Sequence, residues 1–268
     1  GLAAKFFEYA ANDGKVEAQL KTALLYKHGI GVVQDLTAAT NWFHKAALRG
    51  NATAQFHYGM ALANAAGVDL DIRNSIEWLK KAAQQNQPDA NFELSRLFAN
   101  KALPDIYDQS VSDNYLIKAA ALGQPNAALE SAKKQLYKAT KLQDRLASMK
   151  DLKTAADSQI PEAEFLLADL IWQTGHEFSN QTRAVELYTS AADKGHLASQ
   201  IFLGNHFGKS EIAYFDAEKS YHYFKLAALQ GDSYAQYRIA TILIPGIGAQ
   251  ADHSLGLRYL EQSANSGL

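Results

Sequence analysis

The segment Trp42–Gly59, WFHKAALRGNATAQFHYG, returns 36 residues later as Trp78–Ser95, WLKKAAQQNQPDANFELS. An aromatic residue, a large apolar residue, a lysine, an alanine pair, a break, and then Ala and Phe recur in step. Followed in both directions, the pair falls at Ala10–Ala11, Ala46–Ala47, Ala82–Ala83, Ala119–Ala120, Ala155–Ala156, Ala191–Ala192 and Ala227–Ala228, with Ser263–Ala264 last. Every step is 36 residues except one of 37. A fixed period of this size marks a repeat architecture.

Four residues before each pair stand Phe6, Trp42, Trp78, Tyr115, Asp151, Leu187, Tyr223 and Tyr259, and the next slot is always large and apolar. Large residues at i and i+1 with Ala at i+4 and i+5 form one buried face of a helix, here called helix B. Asp35, Asp71, Asp108, Asp144, Asn180, Asp216 and Asp252 stand at its expected start. A carboxylate or amide oxygen there accepts from the free N–H groups of the first turn, so these seven read as N-caps. Spaced evenly along the chain, they cannot converge on one substrate. Four residues on, every side chain is small: Ala39, Ser75, Ser112, Ser148, Ala184, Ser220 and Gly256. Helix B ends at Gly14, Gly50, Gly123, Gly195, Gly231 and Gly267, with Asn86 and Gln159 substituting. Glycine or asparagine there takes the left-handed conformation.

A second helix, A, follows at once. Pro88, Pro125 and Pro161 suit its first turn, where a missing N–H costs nothing. Small residues recur at Ala18, Ala54, Ala90, Ala127, Ala163, Ser199 and Ala235, and again five positions later. The expected fold is all-α: a right-handed α–α superhelix, or solenoid, of about seven helix pairs plus a leading helix, some fifteen helices in all. The whole chain, 1–268, reads as one array, in units of about 1–14 (partial), 15–50, 51–86, 87–123, 124–159, 160–195, 196–231 and 232–268. It opens at a helix B and stops where another helix A is due. It therefore reads as a piece of a longer array, with any leader outside it.

These residues resemble the Sel-one-like repeat family, a relative of the tetratricopeptide repeat. The resemblance rests on Ala18, Tyr26, Gly29, Gly31, Val32, Asp35, Ala39, Trp42, Lys45, Ala46, Ala47 and Gly50 in the first full unit, and on Ala235, Gly246, Gly248, Asp252 and Tyr259 in the last. Departures are local. The units from Ala90 and Ala163 lack the Gly-x-Gly loop, and the unit from Ala127 has a Lys-rich helix A and Asp151 at the aromatic slot. The resemblance implies a non-enzymatic scaffold for other proteins, mostly bacterial, in an envelope complex or as a secreted virulence or host-interaction factor. A periplasmic or secreted location is favoured over the cytoplasm. The alternative is a regulator or enzyme of cell-wall metabolism acting through the groove.

Composition narrows the function. Apolar residues make up 47% of the chain, the net charge is −2, and there is no cysteine. Thiolate metal sites, disulfides and a cysteine nucleophile are excluded. Nucleic-acid binding needs a basic face that a mixed charge does not supply. No apolar run reaches the length of a membrane span. The eight histidines fall in different slots, show no zinc spacing and read as surface residues. The stretch GIGVVQ, Gly29–Gln34, joins two helices, whereas phosphate loops follow a strand, so it reads as a turn. No metal, cofactor or catalytic residue is assigned. Asp169, His176, Asn205 and His206 are the one local grouping with enzymatic potential. Trp42 and Trp78 read as core, and Trp172 as the tryptophan most open to solvent.

Solenoids of this class bind along the concave surface lined by helix A. At 100° per residue, positions three and six after the small residue face away from the core slots. The candidate partner-binding face is thus Lys21, His57, Glu93, Arg96, Glu130, Lys133, Asp169, Phe202, Asn205 and Arg238. The mixture of signs and apolar tips suits a protein or peptide segment, with neither nucleic acid nor membrane insertion.

Overall fold

A computed structural model of the chain describes residues 1–174, 178–209 and 215–267, with residues 178 and 179 described by backbone alone. Among the described residues all regular structure is helical. The first eight helices are α1 (Leu2–Asn12), α2 (Val16–His28), α3 (Leu36–Leu48), α4 (Ala52–Ala63), α5 (Ile72–Gln84), α6 (Pro88–Ala99), α7 (Gln109–Ala121) and α8 (Pro125–Lys138). There follow α9 (Leu142–Leu146), α10 (Met149–Asp157), α11 (Pro161–Thr174), α12 (Phe178–Asp193), α13 (Leu197–Phe207), α14 (Ala217–Leu229), α15 (Ser233–Leu243) and α16 (His253–Asn265). Helix A is α2, α4, α6, α8, α11, α13 and α15. The chain forms two compact units, Gly1–Ser131 and Ala132–Leu268. In the first, α1 to α7 pack each on the next; in the second, α10 to α16 do the same.

The alanine pair lies at the centre of both cores. Ala46, Ala82, Ala119, Ala155, Ala191 and Ala227 have no exposed surface. The large residues beside them fill the space between neighbouring helices: Leu79 and Phe224 are fully buried, and Phe43 and Trp78 nearly so. The recurring lysine of the motif lies over the aromatic three residues earlier, Lys45 on Trp42 at 4.0 Å and Lys81 on Trp78 at 3.9 Å from Nζ to ring centre. Such contacts add about 0.5–1 kcal/mol each at exposed sites.

Five of the seven capping positions hold the expected geometry. Asp35, Asp71, Asp108, Asp216 and Asp252 each accept, at 2.9–3.0 Å, from the backbone N–H three residues on. Each also donates its own N–H to the end of the preceding helix A, for example Asp35 to Tyr26 and Asp216 to Phe207. The slot therefore ties the two helices of a unit together as well as starting the second. Asp144 and Asn180 are corrections. Helix B of the fourth unit is split into α9 and α10, which raises the described helices to sixteen. Asp144 sits inside α9 and reaches back to the N–H of Lys141. Asn180 is two residues inside α12, and a capping residue needs an extended backbone. The paired glycines that precede Asp35 and Asp252 are missing from both units, but Asp108 and Asp216 cap without them, so their loss is not the cause.

A second ladder joins successive units. Gln55 donates to the Ala47 carbonyl and accepts from Gln85, 30 residues ahead, and Gln200 does the same with Ala192 and Gln230. Glu164 occupies this slot with Lys194 as the partner 30 residues ahead. Its Oε1 accepts from Lys194 and Ser190, while Oε2, in the role of the amide nitrogen, is buried without a hydrogen-bond partner. Glu164→Gln is expected to raise stability by about 1 kcal/mol, because the amide can donate to Ala156 as its counterparts do. Lys194, 30% exposed, can return to water. Thermal melts check this; an unchanged or lower midpoint would remove the ladder explanation.

Candidate functional site

The helix-A face does not gather its ten residues into one site; it divides into local networks. Lys21 is exposed on α2. Glu93 and Arg96 pair with each other on α6 at 3.1 Å. Lys133 pairs with Glu162 at 3.0 Å, and Glu130 is exposed and engaged. Asp169 accepts from Arg145 at 3.1 Å and from Gln173 at 2.8 Å. The third position after the small residue is also less open than helical geometry alone suggests. His57 packs on Phe43 of the preceding helix B, with centroids 4.7 Å apart, and Phe202 stacks on Tyr188 at 3.8 Å. His57 and Met60 line a cavity of about 240 Å³ with Phe43, Phe56 and Lys27.

One pair meets across repeats. Arg238 of α15 donates through Nη1 to Asn205 Oδ1 of α13 and to the Tyr234 hydroxyl, both at 2.7 Å. Tyr234 donates to the same Asn205 oxygen at 2.7 Å. The guanidinium lies over the buried Phe224 ring at 4.6 Å.

His28, His222 and His253 are exposed as expected, whereas His44, His57, His196 and His206 correct the surface reading. His44 stacks on Tyr58, His196 packs at a tilt on Phe165, and His206 is buried among Trp172, Phe202 and Phe207. A neutral imidazole packs as an aromatic, and burial holds all three below the usual histidine range. Burial, with Lys27 and His28 adding to it, lowers His57 from 6.5 to about 4. The folded state therefore binds fewer protons than the unfolded chain between these values. The associated stability is fully present above pH 6.5 and falls as the pH drops toward 4. A His57→Phe variant keeps the ring contacts and is expected to lose less melting temperature over that interval than the wild type. Parallel curves would contradict this.

Within the enzymatic grouping, His176 lies outside the described residues. Asp169 serves Arg145 and Gln173, Asn205 serves Tyr234 and Arg238, and His206 packs among rings. Among the described residues no group of three or more His, Asp or Glu is placed to hold a metal. Trp172 is half-buried, edge-on to Phe202 at 5.1 Å and His206 at 5.4 Å, rather than solvent-facing. Gly29 and Gly31 have φ of 68° and 72° in the turn between α2 and α3.

Two slots escaped the sequence reading. The residue three before the small position caps helix A: Asn51, Gln87, Gln124, His196 and Asp232 each accept from a first-turn N–H. The polar residue just after the small position carries the ladder at Gln55 and Gln200. Both were visible as polar side chains recurring in register. Tyr234 gave no such signal.

The fold and its phased slots define the class: an α-solenoid of helix-pair repeats. The Sel1 repeat model matches residues 16–51, 52–87, 161–196, 197–232 and 233–268, more than half of the chain. This chain belongs to the Sel1 repeat family. The internal unmatched stretch, 88–160, includes the split helix B. Sel1 repeat proteins are generally scaffolds for protein–protein interaction and typically non-catalytic. The chain is similar to a Sel1 repeat protein of Oxalobacter formigenes, with 25% identity, TM-score 0.62, and coverage of 99% of this chain and 76% of that one. It also shares its fold with a protective antigen of uropathogenic Escherichia coli strains, at 22% identity and TM-score 0.66, covering 99% of this chain and 64% of that one. An 85-residue stretch is 35% identical to the rat DAP3-binding cell death enhancer 1; it is 32% of this chain and only 16% of the rat protein. Among the described residues no helix is long and apolar enough to cross a membrane.

Proposed function

We propose that this chain is a non-enzymatic scaffold that holds a protein segment along its helix-A face, within a bacterial envelope complex or as a secreted factor acting on a host. The observation that carries the reading is a contrast between slots. The small core position of helix A stays Ala or Ser in every unit. The position three residues on runs Lys21, His57, Glu93, Glu130, Leu166, Phe202 and Arg238. Packing accounts for the constancy, and different contacts in each unit account for the variation. Similarity to the Oxalobacter formigenes protein over 99% of the chain supports a bacterial setting. The same reading takes 1–268 as one array, supported by the alanine pair, which recurs from end to end with a single one-residue shift.

Affinity capture from separated envelope and cytosol fractions of the source cell, read by mass spectrometry, tests partner and compartment together. Charge reversal at both Arg96 and Arg238 is expected to lower capture of a stoichiometric envelope partner at least about tenfold. Undiminished capture would remove the helix-A face from the account, and a purely cytosolic partner would remove the envelope.

A further inference from the structure

We infer that Arg238 is the charge-recognition point of this face, and that it seats the carboxylate of an Asp or Glu side chain in the partner segment. The inference rests on the helix-A reading above and names the chemistry of the partner there.

Arg238 differs from the other six arginines. Arg73, Arg96, Arg145 and Arg183 each pair with a carboxylate. Arg49 and Arg258 are exposed. Among the described residues, Arg238 is the half-buried guanidinium whose partners are all neutral: Asn205, Tyr234 and the Phe224 ring. A cation partly removed from water without a counter-ion binds an anion more strongly than an exposed one, because less water must be displaced and less screening remains. The donors left over have the right geometry. Both bonds leave through Nη1, and among the described residues Nε and Nη2 have no hydrogen-bond acceptor. That edge presents two parallel N–H groups, which match the two oxygens of a carboxylate.

The group is also held in advance. Two 2.7 Å hydrogen bonds and the ring beneath fix the plane of the guanidinium, so little side-chain freedom is lost when an anion docks. Gly208 brings backbone close to Nη2, since a Cβ there would stand 3.5 Å from that nitrogen. Lys209, next in the chain, is exposed and adds positive potential. The complement of this corner is an acidic side chain flanked by backbone.

The test uses the full chain with 15N-labelled arginine, the Arg238 Nε–H signal being identified by its loss in Arg238→Lys. Four probes are titrated: N-acetyl-glutamate N-methylamide, its glutamine counterpart, N-acetyl-alanine with a free terminal carboxylate, and inorganic phosphate. The glutamate probe is expected to move the Arg238 signal saturably, with a midpoint at least about fivefold below that of exposed Arg258. The glutamine probe is expected to leave it in place. Equal responses at Arg238 and Arg258, or tighter binding of the terminal carboxylate or of phosphate, would overturn the proposal. A display library of short random peptides, panned on the wild type and on Arg238→Lys, separates this from the broader reading. Acidic enrichment lost in the variant is expected. Bound peptides without acidic enrichment would sink the carboxylate and leave the face. A carboxylate response with no bound peptide would sink the face as a peptide site and leave the anion site.

Discussion

Phe224→Ala is expected to destabilise the second unit by about 3–5 kcal/mol. The ring is fully buried, and α13 approaches so closely that a Cβ on Gly204 would lie 2.8 Å from it. Backbone this near on one side cannot collapse far into the space an alanine leaves. The substitution also removes the surface under Arg238. Phe224→Leu keeps most of the volume and is expected to cost less than about 1.5 kcal/mol. Leu229→Ala, 69% exposed on the same helix, is the control and is expected to change stability by no more than about 0.5 kcal/mol. Thermal melts and amide exchange in α13 to α15 read all three. Similar losses for Phe224→Ala and Leu229→Ala would contradict the packing described here.

Gly248→Ala is expected to cost about 3 kcal/mol, from two separate causes. The residue has φ of 83°, which L side chains rarely adopt, and its added Cβ would fall 2.3 Å from the carbonyl oxygen of Ala217. The same clash recurs at the equivalent slot in the first compact unit, where a Cβ on Gly67 would meet the Leu36 carbonyl at 2.3 Å. In both places the second glycine of the loop lies against the first turn of the preceding helix B. Backbone approach across repeats, beyond turn geometry, is thus what this glycine permits. Ala65 makes the distinction testable: it takes the place of the first glycine at φ 52° with a side chain present. Ala65→Gly is expected to change stability little or raise it slightly, whereas Gly67→Ala should match Gly248→Ala. Equal and small effects at Gly67 and Gly248 would show that φ alone matters there.

The fold was legible because each slot has one dominant physical demand. Alanine pairs, large neighbours and capping aspartates recur where two helices must touch and one must begin. Asp144 and Asn180 show the limit. The residue type survived while the helix starts moved, and missing paired glycines do not explain it, since Asp108 and Asp216 cap their helices without them. The candidate face was only partly legible. Angular geometry placed His57 and Phe202 opposite the core of their own helix, yet the neighbouring unit's rings cover that slot. The union of Asn205 with Arg238 depends on stacking of successive repeats and on Tyr234, which no recurring slot announces. Histidine was misleading for a chemical reason: polar in sequence, the neutral ring packs as an aromatic in four places.

Site-specific photo-crosslinking in the source cell tests the scaffold reading most directly. A photoreactive residue would replace exposed Lys21 and Thr241 on helix A, and exposed Ile117 and Lys225 on helix B as controls. The expected result is one common protein joined to the two helix-A positions and absent from the helix-B positions. The same protein joined equally to all four, or to helix B alone, would contradict docking on the helix-A face.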